Sequence, residues 1–144
     1  MSDPTQWNDF DGDGYGDNPG GNNPDIFPND GTQWADADGD GYGDNPNGND
    51  ADAFPSDSTQ WSDIDGDGYG DNDSLDAWNR DAFPLDGTQH TDSDEDGYGD
   101  NPSGTSGDQF PNDASQWSDN DGDGWGDNPA AVSYTHLTLP TNRE

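Results

Sequence analysis

A nine-residue motif, D-x-D-x-D-G-x-x-D, occurs five times in this chain. It places carboxylates at positions 1, 3, 5 and 9 of a loop, and a glycine at position 6, where calcium-binding loops turn sharply. Hard cations such as Ca²⁺ bind about six to eight oxygen ligands, which aspartates alternating along a tightly turned backbone can supply. The motif therefore predicts calcium-binding loops at residues 9–18, 36–45, 63–72, 92–101 and 119–128.

Each loop offers four carboxylates and one backbone carbonyl as candidate metal ligands. The carboxylates are Asp9, Asp11, Asp13 and Asp17; Asp36, Asp38, Asp40 and Asp44; Asp63, Asp65, Asp67 and Asp71; Asp92, Asp94, Asp96 and Asp100; and Asp119, Asp121, Asp123 and Asp127. The carbonyl at position 7 belongs to Tyr15, Tyr42, Tyr69, Tyr98 and Trp125. The chain contains 32 Asp and only 2 Glu. A merely solvated acidic surface would use both acids, so the bias favours the calcium interpretation.

The loops belong to a longer internal repeat. Its anchor residues are Trp7, Trp34, Trp61, His90 and Trp117, spaced by 27, 27, 29 and 27 residues. We therefore predict one tandem array of five repeats over residues 1–129, and because its first repeat is cut short we expect a fragment of a longer array. Residues 130–144 contain no Asp and resemble translated adapter sequence, so we exclude this tail as foreign to the fold.

An Asp-x-Phe-Pro-x-Asp element lies between consecutive loops. Proline favours an extended conformation at the preceding phenylalanine. The stretch from Asp30 to Gln33 has the spacing of a helix capping box, which predicts a single helical turn. That turn would point the next tryptophan inward, where it would form a small aromatic cluster with the phenylalanine and tyrosine of its repeat.

The coordination sphere needs more ligands than the loop supplies. An EF-hand loop ends with a bidentate Glu at position 12, whereas this chain has Gly20, Asn47, Ser74, Ser103 and Ala130 there. The EF-hand interpretation therefore fails. Two acids of each inter-loop element recur 16 and 21 residues after the first loop aspartate, shifted by two in the third repeat. These predicted additional ligands are Asp25, Asp30, Asp52, Asp57, Asp81, Asp86, Asp108 and Asp113.

Composition limits what kind of interior the chain can form. It has a formal charge of −32 and 23% hydrophobic residues, too little apolar surface to offset the entropy of ordering the backbone. We expect an irregular fold with little regular secondary structure, an elongated tandem array of calcium-stabilised loops with single helical turns. Five Ca²⁺ ions would change the charge only from −32 to −22, so we expect five or more ions.

Several functional classes are disfavoured by the same features. The negative charge argues against nucleic acid and anionic membranes as partners. The sequence has no run of 18 apolar residues, so we expect no membrane insertion. It contains no Cys and shows no Ser-His or Cys-His set, and every paired carboxylate fits the calcium pattern. We therefore expect that the chain is not an enzyme.

The repeats resemble thrombospondin type 3 repeats, especially the cysteine-free versions of microbial surface proteins. The resemblance covers residues 3–129 and rests on the repeated D-x-D-x-D-G-x-x-D motif. It implies irregular turns wrapped around calcium ions, usually bound in pairs, with the five aspartate quartets as ligands. One departure is that Asn-Pro stands here where that family often has Asn-Cys-Pro. Calcium alone would therefore have to hold the fold.

These observations lead to two expected functions. The first is a structural segment of a secreted or cell-surface protein, acting as a calcium-rigidified spacer or extracellular fibre component. The second is an adhesive module that binds a glycan or a protein, with tandem units adding avidity. Calcium is the expected partner in both, and other copies of the chain or a glycan are the further candidates.

Overall fold

The computed structural model describes residues 3–129. Over this range the chain has no α-helix and no strand of several residues. The β-type backbone pairing within residues 3–129 consists of four isolated parallel bridges, Gly16↔Pro24, Gly43↔Ala51, Gly70↔Arg80 and Gly99↔Gly107. The predicted irregular fold with little regular secondary structure is confirmed. The tail that we predicted to be foreign, residues 130–144, lies outside the described residues.

The chain divides into two compact units. The first contains the residues up to Asp63 together with Gly70–Arg80, and the second contains Ile64–Tyr69 and the residues from Asp81 onward. A search of the described residues for a helix long and apolar enough to cross a membrane finds none.

The segment after each inter-loop proline forms a tight turn. Asp30 N donates to Phe27 O at 2.8 Å, and Gln33 N donates to Asp30 O at 2.9 Å. The Asp30 carboxylate accepts hydrogen bonds from the backbone N and the hydroxyl of Thr32, at 3.0 and 2.6 Å. Because Asp30 N is already bonded to Phe27, the Gln33 side chain does not close a capping box. The predicted helical turn is wrong, and an aspartate-capped tight turn takes its place.

The interior of the described chain is polar. Among residues 3–129 no hydrophobic side chain is buried, as expected from the composition. The buried side chains are glutamines and aspartates: Gln6, Asp25, Gln33, Asp52, Gln60, Asp81, Gln89, Asp108 and Gln116. Each of these groups needs a hydrogen-bond or charge partner, because burying a polar atom without one is costly.

In four of the five repeats the buried glutamine ties two backbone segments together. Gln33 Nε2 donates to Asn45 O at 3.0 Å and to Asn49 O at 2.9 Å. Gln33 Oε1 accepts from Asn45 N at 2.9 Å. Gln6, Gln60 and Gln89 make the equivalent three bonds in their own repeats. One side chain thus fixes the end of the loop and the segment that follows it.

The aromatic rings pair between neighbouring repeats. Each loop tyrosine stacks on the anchor ring of the next repeat, with ring centroids 3.8–5.2 Å apart and interplanar angles of 2–6°. The pairs are Tyr15–Trp34, Tyr42–Trp61, Tyr69–His90 and Tyr98–Trp117. The anchor rings are half-buried in these pairs, whereas Trp7 is 76% exposed. The cluster that we expected within each repeat is therefore replaced by stacking between repeats.

A methyl group added at position 8 of the second loop tests how tightly the buried glutamine packs. A Cβ on Gly43 would overlap the side chain of Gln33. We expect Gly43→Ala to destabilise the calcium-loaded fold by about 1–3 kcal/mol, the usual cost of overpacking. Gly20→Ala is the matched control, because its added Cβ comes no closer than 3.7 Å to any other group. Thermal unfolding of both variants measures the difference, and equal effects would contradict the packing.

Candidate metal centre

Aspartates at positions 1, 3 and 5 gather at the centre of the loop. One carboxylate oxygen of each lies within 4.8 Å of those of the other two. These groups are Asp9, Asp11 and Asp13; Asp36, Asp38 and Asp40; Asp92, Asp94 and Asp96; and Asp119, Asp121 and Asp123. The third loop has Asp63 in the first unit and Asp65 and Asp67 in the second.

Local hydrogen bonds from backbone amides to aspartate side chains shape each loop. In the second loop, the Asp36 carboxylate accepts from Gly39 N at 2.7 Å and from Gly41 N at 3.0 Å. Asp40 Oδ1 accepts from Tyr42 N at 2.9 Å. Gly41, at position 6, has a φ of 97°, a backbone angle that residues other than glycine rarely adopt. The sequence folds this way because a short aspartate side chain reaches backbone amides two to five residues ahead.

Some loop oxygens are buried and have no hydrogen-bond partner within residues 3–129. They belong to positions 3 and 5, and include Oδ2 of Asp11, Asp13, Asp38, Asp40 and Asp96. In each of these five carboxylates the other oxygen, Oδ1, accepts from the backbone N two residues ahead. One oxygen therefore shapes the loop, and the other is left for a ligand.

The first acids of three inter-loop elements share this property. Asp25, Asp52 and Asp108 are 6%, 4% and 1% exposed. Their Oδ1 atoms accept from the N of the phenylalanine two residues on, each at 2.7 Å. Their Oδ2 atoms are buried without a partner in the described chain. Buried polar atoms in folded proteins are almost always paired, so these oxygens indicate a ligand.

The inter-loop acid lies beside the loop that precedes it. Burial raises the pKa of Asp52, and the negative charges of Asp40, Asp38 and Asp44 raise it further. The same causes raise the pKa of Asp25 beside the first loop and of Asp108 beside the fourth. The backbone agrees, since Asp52 N donates to Gly43 O at 2.9 Å. A complete candidate site therefore consists of one loop and the acid that returns to it from the next segment.

Such a site suits a hard divalent cation. Its donors are carboxylate oxygens, which Ca²⁺ and Mg²⁺ prefer, and His and Cys, which favour transition metals, are absent from these groups. Burial and repulsion by neighbouring carboxylates raise the pKa of Asp40 and Asp52, and so disfavour their charged forms in the folded chain. A cation among the loop acids and Asp52 would reverse this cost and give the partnerless oxygens a ligand. The observed arrangement therefore fits the predicted metal.

The fifth loop shows what the returning acid contributes. Residues 3–129 contain no Asp-x-Phe-Pro element after this loop. Asp121 and Asp123 are exposed, in contrast to the half-buried residues at the same positions in the first, second and fourth loops. None of its oxygens is among the buried partnerless atoms found in the described chain. Burial of the acidic cluster thus accompanies the return of the inter-loop segment.

Two other groups of predicted ligands have structural partners. The position-9 carboxylate closes the loop, as Asp44 Oδ1 accepts from Ala37 N at 3.1 Å and Asp100 Oδ1 accepts from Ser93 N at 3.0 Å. The second inter-loop acid, such as Asp30, bonds to the following threonine and to Asn49 Nδ2. The Thr32 hydrogen bonds lower the pKa of Asp30. This arrangement favours the first inter-loop acid over the second as a metal ligand.

Sequence reasoning missed the buried glutamine. It precedes the anchor ring in all five repeats, and that recurrence was the available signal. We interpreted it as part of a capping box because acid-x-x-Gln spacing is a familiar local pattern. Its actual partners lie 12 and 16 residues ahead in the second repeat.

Comparisons with protein-family models, with curated proteins and with solved structures find no match.

Proposed function

We propose that this chain is a calcium-binding structural segment of a secreted or cell-surface protein. In this proposal each ion links a loop to the acid that returns from the next segment. The ion therefore takes the role that apolar side chains have in an ordinary core. The chain then serves as a spacer or extracellular fibre component that is rigid only when calcium is bound.

The observation that carries the proposal is the buried, partnerless oxygen of the first inter-loop acid. It occurs at Asp25, Asp52 and Asp108, each beside the carboxylates of the preceding loop. An acid that served only solubility would be exposed to water rather than buried next to other acids. Asp81 holds the same position in the third repeat and is 2% exposed. We extend the proposal to that repeat on its sequence pattern.

The number of complete sites follows from the need for both a loop and a returning acid. Four loops are followed by an Asp-x-Phe-Pro element within residues 3–129, and the fifth is not. We therefore expect four strong ions and a weaker fifth. Four Ca²⁺ ions would change the formal charge from −32 to −24, which leaves a strongly acidic surface.

A calorimetric titration of the full chain with CaCl₂ and, separately, with MgCl₂ tests calcium binding. We expect saturable Ca²⁺ binding at about 10⁻⁴–10⁻³ M, the range of extracellular calcium modules. Mg²⁺ should bind more weakly, because it requires near-octahedral geometry and gives up its water reluctantly. Absence of saturable Ca²⁺ binding, or equal affinity for both ions, would contradict the proposal.

A further inference from the structure

We infer that the buried glutamine is a positioning residue for the metal site, acting through the inter-loop acid. This inference rests on the proposed calcium binding and concerns how the site is assembled. The fourth repeat, with Gln89 and Asp108, shows the connection within one unit.

Gln89 joins the end of the loop to the segment that returns to it. It is 1% exposed, and its Nε2 donates to Asn101 O at 2.8 Å and to Thr105 O at 3.0 Å. Its Oε1 accepts from Asn101 N at 3.0 Å. Asn101 is the last residue of the loop, and Thr105 lies three residues before Asp108. The amide therefore fixes the spacing between the loop and the approach to the acid.

The backbone carries this constraint to the metal-site acid. Gly99 N donates to Ser106 O at 3.2 Å, and Asp108 N donates to Gly99 O at 2.7 Å. Gly99 lies directly against Gln89, because a Cβ on this glycine would overlap the glutamine side chain. Gln89 thus packs against the Gly99 side of the Gly99↔Gly107 bridge, and Asp108 follows directly after that bridge.

The contacts of Gln89 assign it a role distinct from that of a ligand. Its three hydrogen bonds go to backbone atoms of Asn101 and Thr105. Its effect on an ion would therefore pass through the placement of Asp108. Gln6 and Gln33 make the same bonds in the first unit, which also contains Asp25 and Asp52, so two further repeats show the same arrangement.

Gln89→Glu tests the inference in the full chain. Glutamate has nearly the same shape but cannot donate to the two carbonyls, and its charge would be buried. We expect one calcium site to weaken by about 10–100-fold, the range for residues that orient metal ligands. The other three strong sites should keep their affinity. Gln89→Met, which removes the hydrogen bonds without adding charge, should weaken the same site.

Gln109→Glu is the matched control for charge. Gln109 is exposed and adjoins Asp108. A glutamate at this position adds the same charge near the same site without disturbing the hydrogen bonds of Gln89. We expect little loss of calcium affinity there. An equal loss in Gln109→Glu and Gln89→Glu would show a charge effect and overturn the inference.

A double-mutant cycle with Asp108→Asn separates positioning from general support of the fold. If Gln89 acts through Asp108, the double variant should bind calcium no more weakly than Asp108→Asn alone. Additive losses, or loss of all sites together in Gln89→Glu, would overturn the positioning role. Failure of the unmodified chain to bind calcium would instead overturn the proposed function.

Discussion

Removing calcium with excess chelator is expected to unfold this chain. Among residues 3–129 no hydrophobic side chain is buried, and the interior consists of glutamine and aspartate. Without a cation, the buried acids Asp25, Asp52 and Asp108 are repelled by the aspartates of the loops beside them, and the chain has a formal charge of −32. Because metal binding supplies the free energy of folding in such domains, the loss of the ion should be the loss of the fold.

Small-angle scattering and near-ultraviolet circular dichroism measure this transition. After chelation we expect the radius of gyration to approach about 40 Å, the value for an unfolded chain of this length. The aromatic dichroism should collapse as pairs such as Tyr42–Trp61 separate, and readdition of CaCl₂ should restore both signals. Samples must be matched in ionic strength with NaCl, because salt alone screens repulsion beyond about 8 Å. Unchanged scattering and dichroism after chelation would contradict the account.

The second large effect is expected from a single amide substitution at the returning acid. Asp52→Asn keeps the Oδ1 acceptor for Phe54 N but replaces the buried, partnerless Oδ2 with an NH₂ group. We expect one calcium site to weaken at least about tenfold, the scale of changes around metal ligands. The Tyr98–Trp117 stack, which lies farther along the chain, should be unaffected, because in repeat proteins each unit contacts mainly its neighbours.

The same variant should have the opposite effect without calcium. Burial and neighbouring carboxylates raise the pKa of Asp52, so its charged form destabilises the ion-free fold at neutral pH. That cost is absent below the pKa that Asp52 has in the unfolded chain. It grows as the pH rises towards the higher pKa of Asp52 in the folded chain. Asn removes the charge, and the residual structure of the calcium-free chain should become more stable. Aromatic dichroism of both chains measures this reversal when sucrose is added to the chelator, because this osmolyte favours compact states and keeps part of the ion-free chain folded.

Asp57→Asn and Asp73→Asn are matched controls, since each removes one negative charge. Asp57 accepts from the N and the hydroxyl of Thr59 at 3.1 and 2.6 Å, and asparagine can accept both bonds. Asp73 is exposed and lies outside the repeated pattern. We expect calorimetry to show small changes in calcium affinity for both. Equal losses in all three variants would mean that these acids contribute only bulk charge.

The irregular fold and the loop acids could be predicted because both depend on local chemistry. Alternating aspartates with a glycine at position 6 determine the loop within a few residues, and Gly41 has the positive φ that this turn requires. The low hydrophobic fraction is enough by itself to exclude an apolar core. The predicted Asp52 stands beside the second loop because the recurring offset reflects a real return of the chain.

The glutamine and the aromatic pairs could not be predicted because their partners are distant in sequence. Gln33 bonds to Asn45 and Asn49, and only the path of the backbone between them shows this. Tyr42 stacks on Trp61, a residue of the next repeat, although each repeat contains its own tyrosine and tryptophan. The second inter-loop acid recurs as regularly as the first, and periodicity alone could not distinguish a turn-capping role from a metal ligand.

Counting bound calcium ions by native mass spectrometry across a CaCl₂ titration tests most directly the claim that a complete site needs a returning acid. We expect the full chain to fill four sites first and a fifth only at higher calcium, because Asp121 and Asp123 of the fifth loop are exposed and no Asp-x-Phe-Pro element follows this loop within residues 3–129. In Asp52→Asn the first group should fall to three. Five sites that fill together, in the unmodified chain and in the variant alike, would show that the loops suffice alone and would contradict the account.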